Sequence, residues 1–149
     1  MPLTEWDRDP NRWVGFFLAL QERLREGNWG PPADYTDGRT QFTWHARDEH
    51  FLRLEGERLC FTITAPDRSL QAEKWQRWRD ALIAEGEVRG VKIKPLPRRL
   101  WTFMTVAMLD GDYRQVNDAG QVDLDGTIEV LRKAGEVFDA ALARVRTQE

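Results

Sequence analysis

An α+β fold with a largely antiparallel sheet is what this sequence predicts, and two observations carry that reading. Three β-patterned runs adjoin one another between residues 40 and 64, separated by turns too short for the crossover that a parallel pair requires. Amphipathic helical patterns stand at both ends of the chain and once between strands. The expected order is α-β-β-β-α-β-β-α, about five strands and three helices in a single domain over residues 1–149.

The first helix is expected from about residue 10 to 26. Asp9 offers an N-cap, Pro10 suits the first turn, and Gly27 supplies a left-handed stop. Trp13, Phe16, Phe17, Leu20 and Leu24 fall on one face, while Arg12, Gln21, Glu22, Arg25 and Glu26 occupy the other. Residues 27–39 read as a loop, rich in Gly, Pro and Asp. Trp29 and Tyr35 sit within it, either pinning the loop to the core or rimming a binding surface.

Next comes a meander. Thr40–Ala46 alternates Phe42 and Trp44 with polar residues, and Glu55-Gly56-Glu57 joins Phe51–Leu54 to Leu59–Thr64. In the last run Leu59, Phe61 and Ile63 should face the core, with Cys60, Thr62 and Thr64 on the other side. Pro66-Asp67 caps a second helix that buries Trp75, Trp78, Leu82 and Ile83 and is expected to stop at Gly86. Val91–Leu96 and Leu100–Leu109 read as strands, the second of them central. Asp110-Gly111 and Asn117–Gly120 read as turns around a short extended piece at Val116. Asp123 caps the final helix, whose residues Leu124, Ile128, Leu131, Gly135, Phe138, Leu142 and Val145 step by alternate threes and fours.

Composition narrows the function classes. The chain has 149 residues, 41% hydrophobic, with seven Trp and seven Phe, enough apolar surface to fold without staples. No apolar run approaches the roughly 18 residues that a membrane span needs. The single cysteine, Cys60, cannot form an intrachain disulfide, so a cytoplasmic setting is expected.

Catalytic constellations are scarce. His45, His50 and Cys60 are not spaced as a zinc site, and both histidines read as polar residues at a sheet edge. The Asp110–Asp125 segment does not fit a calcium loop, because Arg114 and Gln121 stand where oxygen ligands and a Glu are required. Ser69 lacks a nucleophile elbow, and no Gly-rich phosphate cradle occurs. Neither a metal nor a cofactor is expected. Arg89, Lys92, Lys94, Arg98 and Arg99 form a positive strip within a chain of net charge −3, followed directly by Trp101. It is either a solvated strand edge or a contact for an acidic protein face or nucleic-acid phosphates. Trp75-Gln-Arg77-Trp78-Arg79 is explained by core packing.

The succession Phe61-Thr-Ile-Thr, Pro66-Asp67 with a Trp75/Trp78 helix, Met104-Thr-Val-Ala, an aspartate-containing turn, and Asp125-Gly-Thr-Ile-Glu-Val-Leu resembles the C-terminal portion of some bacterial and phage PD-(D/E)XK nuclease-like proteins. The likeness spans roughly residues 10–142. In that superfamily, an Asp on one strand and Glu-x-Lys on the next hold magnesium for phosphodiester cleavage. This chain contains no Glu-x-Lys, and Glu87-Val-Arg89 puts a fixed cation where lysine is usual, so no catalytic residue carries over.

The leading expectation is therefore a non-enzymatic accessory protein of bacterial or phage origin, docking onto a protein partner. The expected contacts are Trp29, Tyr35, Arg89, Lys92, Lys94, Arg98, Arg99 and Trp101. The alternatives are an unusual metal-dependent nuclease using Asp48, Glu55 or Glu87, and nucleic-acid binding through residues 89–101.

Overall fold

The structure is a computed structural model and describes residues 3–8, 10–26, 34–37 and 41–147. A 3-10 turn, Leu3–Arg8, leads to helix α1 (Pro10–Glu26) and strands β1 (Asp34–Asp37), β2 (Gln41–Arg47), β3 (His50–Glu55) and β4 (Arg58–Thr64). Helix α2 (Gln71–Arg89), strands β5 (Ile93–Pro95) and β6 (Phe103–Leu109), and helix α3 (Leu124–Thr147) complete the order. The residues expected to cap α1, Asp9 and Gly27, lie outside the described residues, as do Trp29 and the side chains of Tyr35, Phe42 and Trp44.

The α+β class is that of the molecule. Among the described residues, its antiparallel sheet has six strands in the order β1-β2-β3-β4-β6-β5. The strand beyond the expected five is β1, inside the segment read as loop. It pairs with β2 through Asp34↔Thr43 and Asp37↔Gln41. An edge strand needs only one neighbour, so pairing overrides the turn-like composition of Asp34–Asp37.

Side-chain register puts the helices on one sheet face. His45 meets Phe138 of α3 with ring centroids 4.9 Å apart, and His50 meets Trp78 of α2 at 4.5 Å. Trp78 also touches Phe138, so α2 and α3 close over the sheet together. In α1, Trp13, Phe16, Phe17, Leu20 and Leu24 are all buried, the apolar face its spacing predicts. Both histidines are buried on the helix side, not exposed at an edge. They share a face with Leu52 and Phe61 because Leu52 pairs with both His45 and Phe61, and His50 with Ile63.

Burial along β4 is two-sided rather than one-sided. Cys60 and Thr62, which point away from the helices, are buried as well. Strand β4 lies between β3 and β6, and their outward side chains, including Arg53, Phe51, Thr105 and Met108, crowd it. The Thr62 and Thr105 hydroxyls share a hydrogen bond of 3.2 Å.

Helix α2 does not stop at Gly86. It runs to Arg89, and Gly90 at φ +68° takes the left-handed cap. Gly86 is buried inside the helix, where a Cβ would come 2.6 Å from Ile93 Cγ1 and 2.8 Å from the Val91 carbonyl oxygen. Its missing side chain lets β5 turn back tightly, with the Val91 N–H donating to the Gly86 carbonyl at 2.8 Å. Asp67 caps the 3-10 turn Arg68–Leu70 ahead of α2, accepting from the Ser69 N–H at 3.0 Å. Asp123 caps α3 by accepting from the Gly126 N–H at 3.0 Å. Val116 forms an isolated bridge to Val122. Among the described residues, no helix is long and apolar enough to cross a membrane.

Arg114 joins the chain's start to the connection after β6. Its guanidinium lies 4.7 Å from the Trp6 ring and 4.6 Å from the Trp13 ring, while its Nη2 donates to Asp112 at 2.6 Å.

Candidate functional site

Between β5 and β6 the chain runs Leu96-Pro97-Arg98-Arg99-Leu100-Trp101-Thr102. Both ends of this stretch are tied down. The Leu96 N–H donates to the Val106 carbonyl at 3.1 Å, and the Thr102 carbonyl accepts from the Ala65 N–H at 2.6 Å. Pro95 and Pro97 lack N–H groups and resist helix, so residues 96–100 stay irregular, the chain bends at Trp101 and Thr102, and the middle of the segment is displayed. Leu100, Trp101 and Phe103 remain 38%, 64% and 59% exposed.

Trp101 and Phe103 border an open groove of about 620 Å³, lined by Leu96, Pro97, Arg98, Arg99, Trp101, Phe103, Met104 and Thr105. Phe103 and Thr105 pair with Thr64 and Thr62, which places both on the sheet face away from the helices. Met104 pairs with Ile63 and turns into the core. Among the described residues, no hydrogen bond or ion pair engages the side chains of Arg98 and Arg99. Two unpaired guanidinium groups beside exposed aromatic rings can meet carboxylates while the rings take apolar side chains.

Residues expected to act as one basic strip are divided by the structure. Arg98, Arg99 and Trp101 come together in the groove. Arg89 does not join them: it ends α2 and pairs with Glu85, which also accepts from Arg144 of α3 at 2.5 Å. Hydrogen bonding from Arg144 holds the Glu85 carboxyl below its ordinary range, so this is a tie between helices. Lys92 belongs to a separate hollow with Glu87 and Asp110. Lys94 is exposed on β5, opposite Met108. Tyr35 lies in the backbone of β1. The Trp75–Arg79 cluster is core, with Trp75 and Trp78 buried and the Arg79 guanidinium 5.6 Å from the Trp75 ring.

Sequence reasoning missed the apolar half of the groove, above all Phe103, because it lies in a run read as a central strand. Period-two alternation from buried Met104 is the signal that turns Phe103 outward.

A second cleft, about 180 Å³, lies where β3, β4, α2 and α3 converge. Glu49, His50, Ile63, Lys74, Arg77 and Val145 help to line it. Burial lowers the His50 pKa and favours a neutral ring, and among the described residues neither ring nitrogen has a hydrogen-bond partner. The charges around it are mutually matched: Lys74 with Glu49 at 2.7 Å and Arg77 with Glu73 at 2.7 Å.

The carboxylates considered for nuclease chemistry are dispersed. Asp48 pairs with Arg146 at 2.6 Å, and Glu55 pairs with Arg53. They flank opposite ends of β3, about 20 Å apart along an extended chain. Among the described residues, no three His, Cys, Asp or Glu side chains are grouped to hold a metal ion. Burial pushes the Cys60 thiol up to about 12, which makes it a poor nucleophile. In comparisons with known proteins, the chain matches no family model, and neither a curated relative nor a solved structure of significant similarity was found.

Proposed function

We propose that this chain is a non-enzymatic binding module that docks onto a protein partner through the surface at residues 96–105. One observation carries the reading: Trp101 and Phe103, with Leu100 next to Trp101 in the chain, are left exposed at the groove that also holds Arg98 and Arg99, which are unpaired among the described residues. Trp, Phe and Arg are the residue types that concentrate binding energy when a partner covers them. Covering the exposed parts of these three apolar side chains would remove about 300 Å² from water, a gross gain of roughly 7 kcal/mol before association costs.

The test compares proteins captured from a source-organism extract by immobilised wild type, Arg98→Glu/Arg99→Glu, Trp101→Ala and a distant control, Glu129→Gln. Proteins held by wild type and control should be lost from both groove variants, whose melting temperatures should stay close to wild type. Equal capture by all four proteins would remove this surface as a docking site.

A further inference from the structure

Resting on that docking reading, we infer that the groove's occupant is an acidic peptide segment of the partner carrying a bulky apolar side chain. Charge complementarity is the first argument. Acids outnumber Lys and Arg in this chain, 25 to 22. Many arginines elsewhere, among them Arg77, Arg89, Arg132 and Arg146, are met by the chain's own carboxylates, and those that are not so met among the described residues, such as Arg58 and Arg68, stand singly rather than as a pair. Among the described residues, the adjacent Arg98 and Arg99 have no such partner, and no Asp or Glu lines their groove. The matching carboxylates are therefore assigned to the partner.

The lining supplies the second argument. Leu96, Pro97, Met104, Trp101 and Phe103 form an apolar wall beside the two guanidinium groups, suited to a Leu, Phe or Trp side chain flanked by Asp or Glu. A volume of about 620 Å³ has room for such an anchor and its neighbours. Single-stranded nucleic acid fits less well, because phosphate-driven affinity requires a track of cations, and among the described residues that line the groove only Arg98 and Arg99 are cationic. Strand addition at β5 is also disfavoured: Pro95 has no N–H to donate, and Pro97 removes another two residues later. Recognition would rest on side chains.

Panning a displayed library of random dodecapeptides on the immobilised full chain tests this. Enriched peptides should carry Asp or Glu around a Phe, Leu or Trp. In fluorescence anisotropy they should bind wild type at least tenfold more tightly than Arg98→Glu/Arg99→Glu or Trp101→Ala. Panning on the charge-reversed variant should shift enrichment toward Lys and Arg. Lack of enrichment, neutral or basic winners, or winners indifferent to the arginine change would overturn the inference. So would tighter binding of a fifteen-nucleotide oligothymidylate with steep salt dependence, or concentration-dependent self-association abolished by Trp101→Glu.

The two readings fail separately. If extract proteins are lost from the groove variants while panning yields no acidic winners, docking stands and this chemistry falls. If neither extract capture nor peptide binding responds to the groove changes, both fall.

Discussion

Replacing Gly86 by Ala tests how the groove is held in place. An isolated helix would gain about 1 kcal/mol from that exchange, since Ala is the better helix former. In α2 the added methyl would sit 2.6 Å from Ile93 Cγ1 and 2.8 Å from the Val91 carbonyl oxygen. The Ile93 side chain can rotate, but the carbonyl belongs to the backbone that leads into β5. Relieving the clash must move Val91–Ile93, and overpacking of this kind costs about 1–3 kcal/mol. Because the clash reaches backbone as well as side chain, the cost is expected in the upper part of that range, about 2–3 kcal/mol, and the net is a loss of about 1–2 kcal/mol, opposite in sign to the helix-propensity effect. Gly15 in α1 is the internal control: among the described residues nothing would lie within 4 Å of an added Cβ, so Gly15→Ala should stabilise by about 0.5–1 kcal/mol. Urea unfolding of the two variants beside wild type reads both changes. Because Ile93, Lys94 and Pro95 set the pairing with β6 that continues through Leu96, Gly86→Ala should also weaken peptide binding in the groove, while Gly15→Ala should not. A neutral or stabilised Gly86→Ala would refute the account of how β5 is placed.

Three further outcomes are expected. The His50 pKa is lowered from 6.5 in the folded chain, with burial the largest cause. The unfolded chain therefore binds the extra proton more readily, and the stability from neutral His50 is present above about pH 6.5 and lost as pH falls below it toward the folded pKa. Asp48, Glu49, Lys74 and Arg146 also act on the ring, so the comparison is with His50→Gln, which should unfold with a flatter dependence between pH 7.5 and 5. Arg114→Ala should cost about 2–3 kcal/mol in urea unfolding, and Arg114→Lys should restore little, since a lysine lacks the planar group that lies against Trp6 and Trp13 while gripping Asp112. Cys60 should resist an aromatic disulfide reagent at pH 8 and react at once in denaturant, because burial holds its thiol up at about 12; prompt reaction of the native chain would contradict that burial.

Long-period patterns were legible in the sequence, and choices between nearby alternatives were not. The stripes of α1 and α3 recur over several turns, so their apolar residues could be identified as core. Gly86 and Gly90 are four positions apart and chemically identical as helix stops; only the return of β5 against Gly86 separates their roles. Strand β1 was hidden because its pairing energy comes from β2, not from Asp34–Asp37 themselves. His50 follows the tight turn at Asp48, which is left-handed at φ +55°, and its parity with Leu52 and Leu54 would have turned it inward. For the groove, Arg98, Arg99 and Trp101 were visible as consecutive chemistry. The separation of Arg89 required knowing that Glu85 faces Arg144 across two helices. The contact of Arg114 with Trp6 has no local signature, because more than a hundred positions lie between them.

The strand order has a consequence for assembly. Strands β1 to β4 can zip together through successive neighbours, but β6 must return across β4, joining Thr62 to a residue 43 positions later. Closing a loop of that length costs roughly 3 kcal/mol of chain entropy before any contact compensates. This late-returning portion carries α2, β5 and residues 96–102. Their fixed geometry awaits the β4–β6 seam, so a nascent or partly unravelled chain would hold a meander yet offer no finished recognition face, and engagement of a partner would report complete folding.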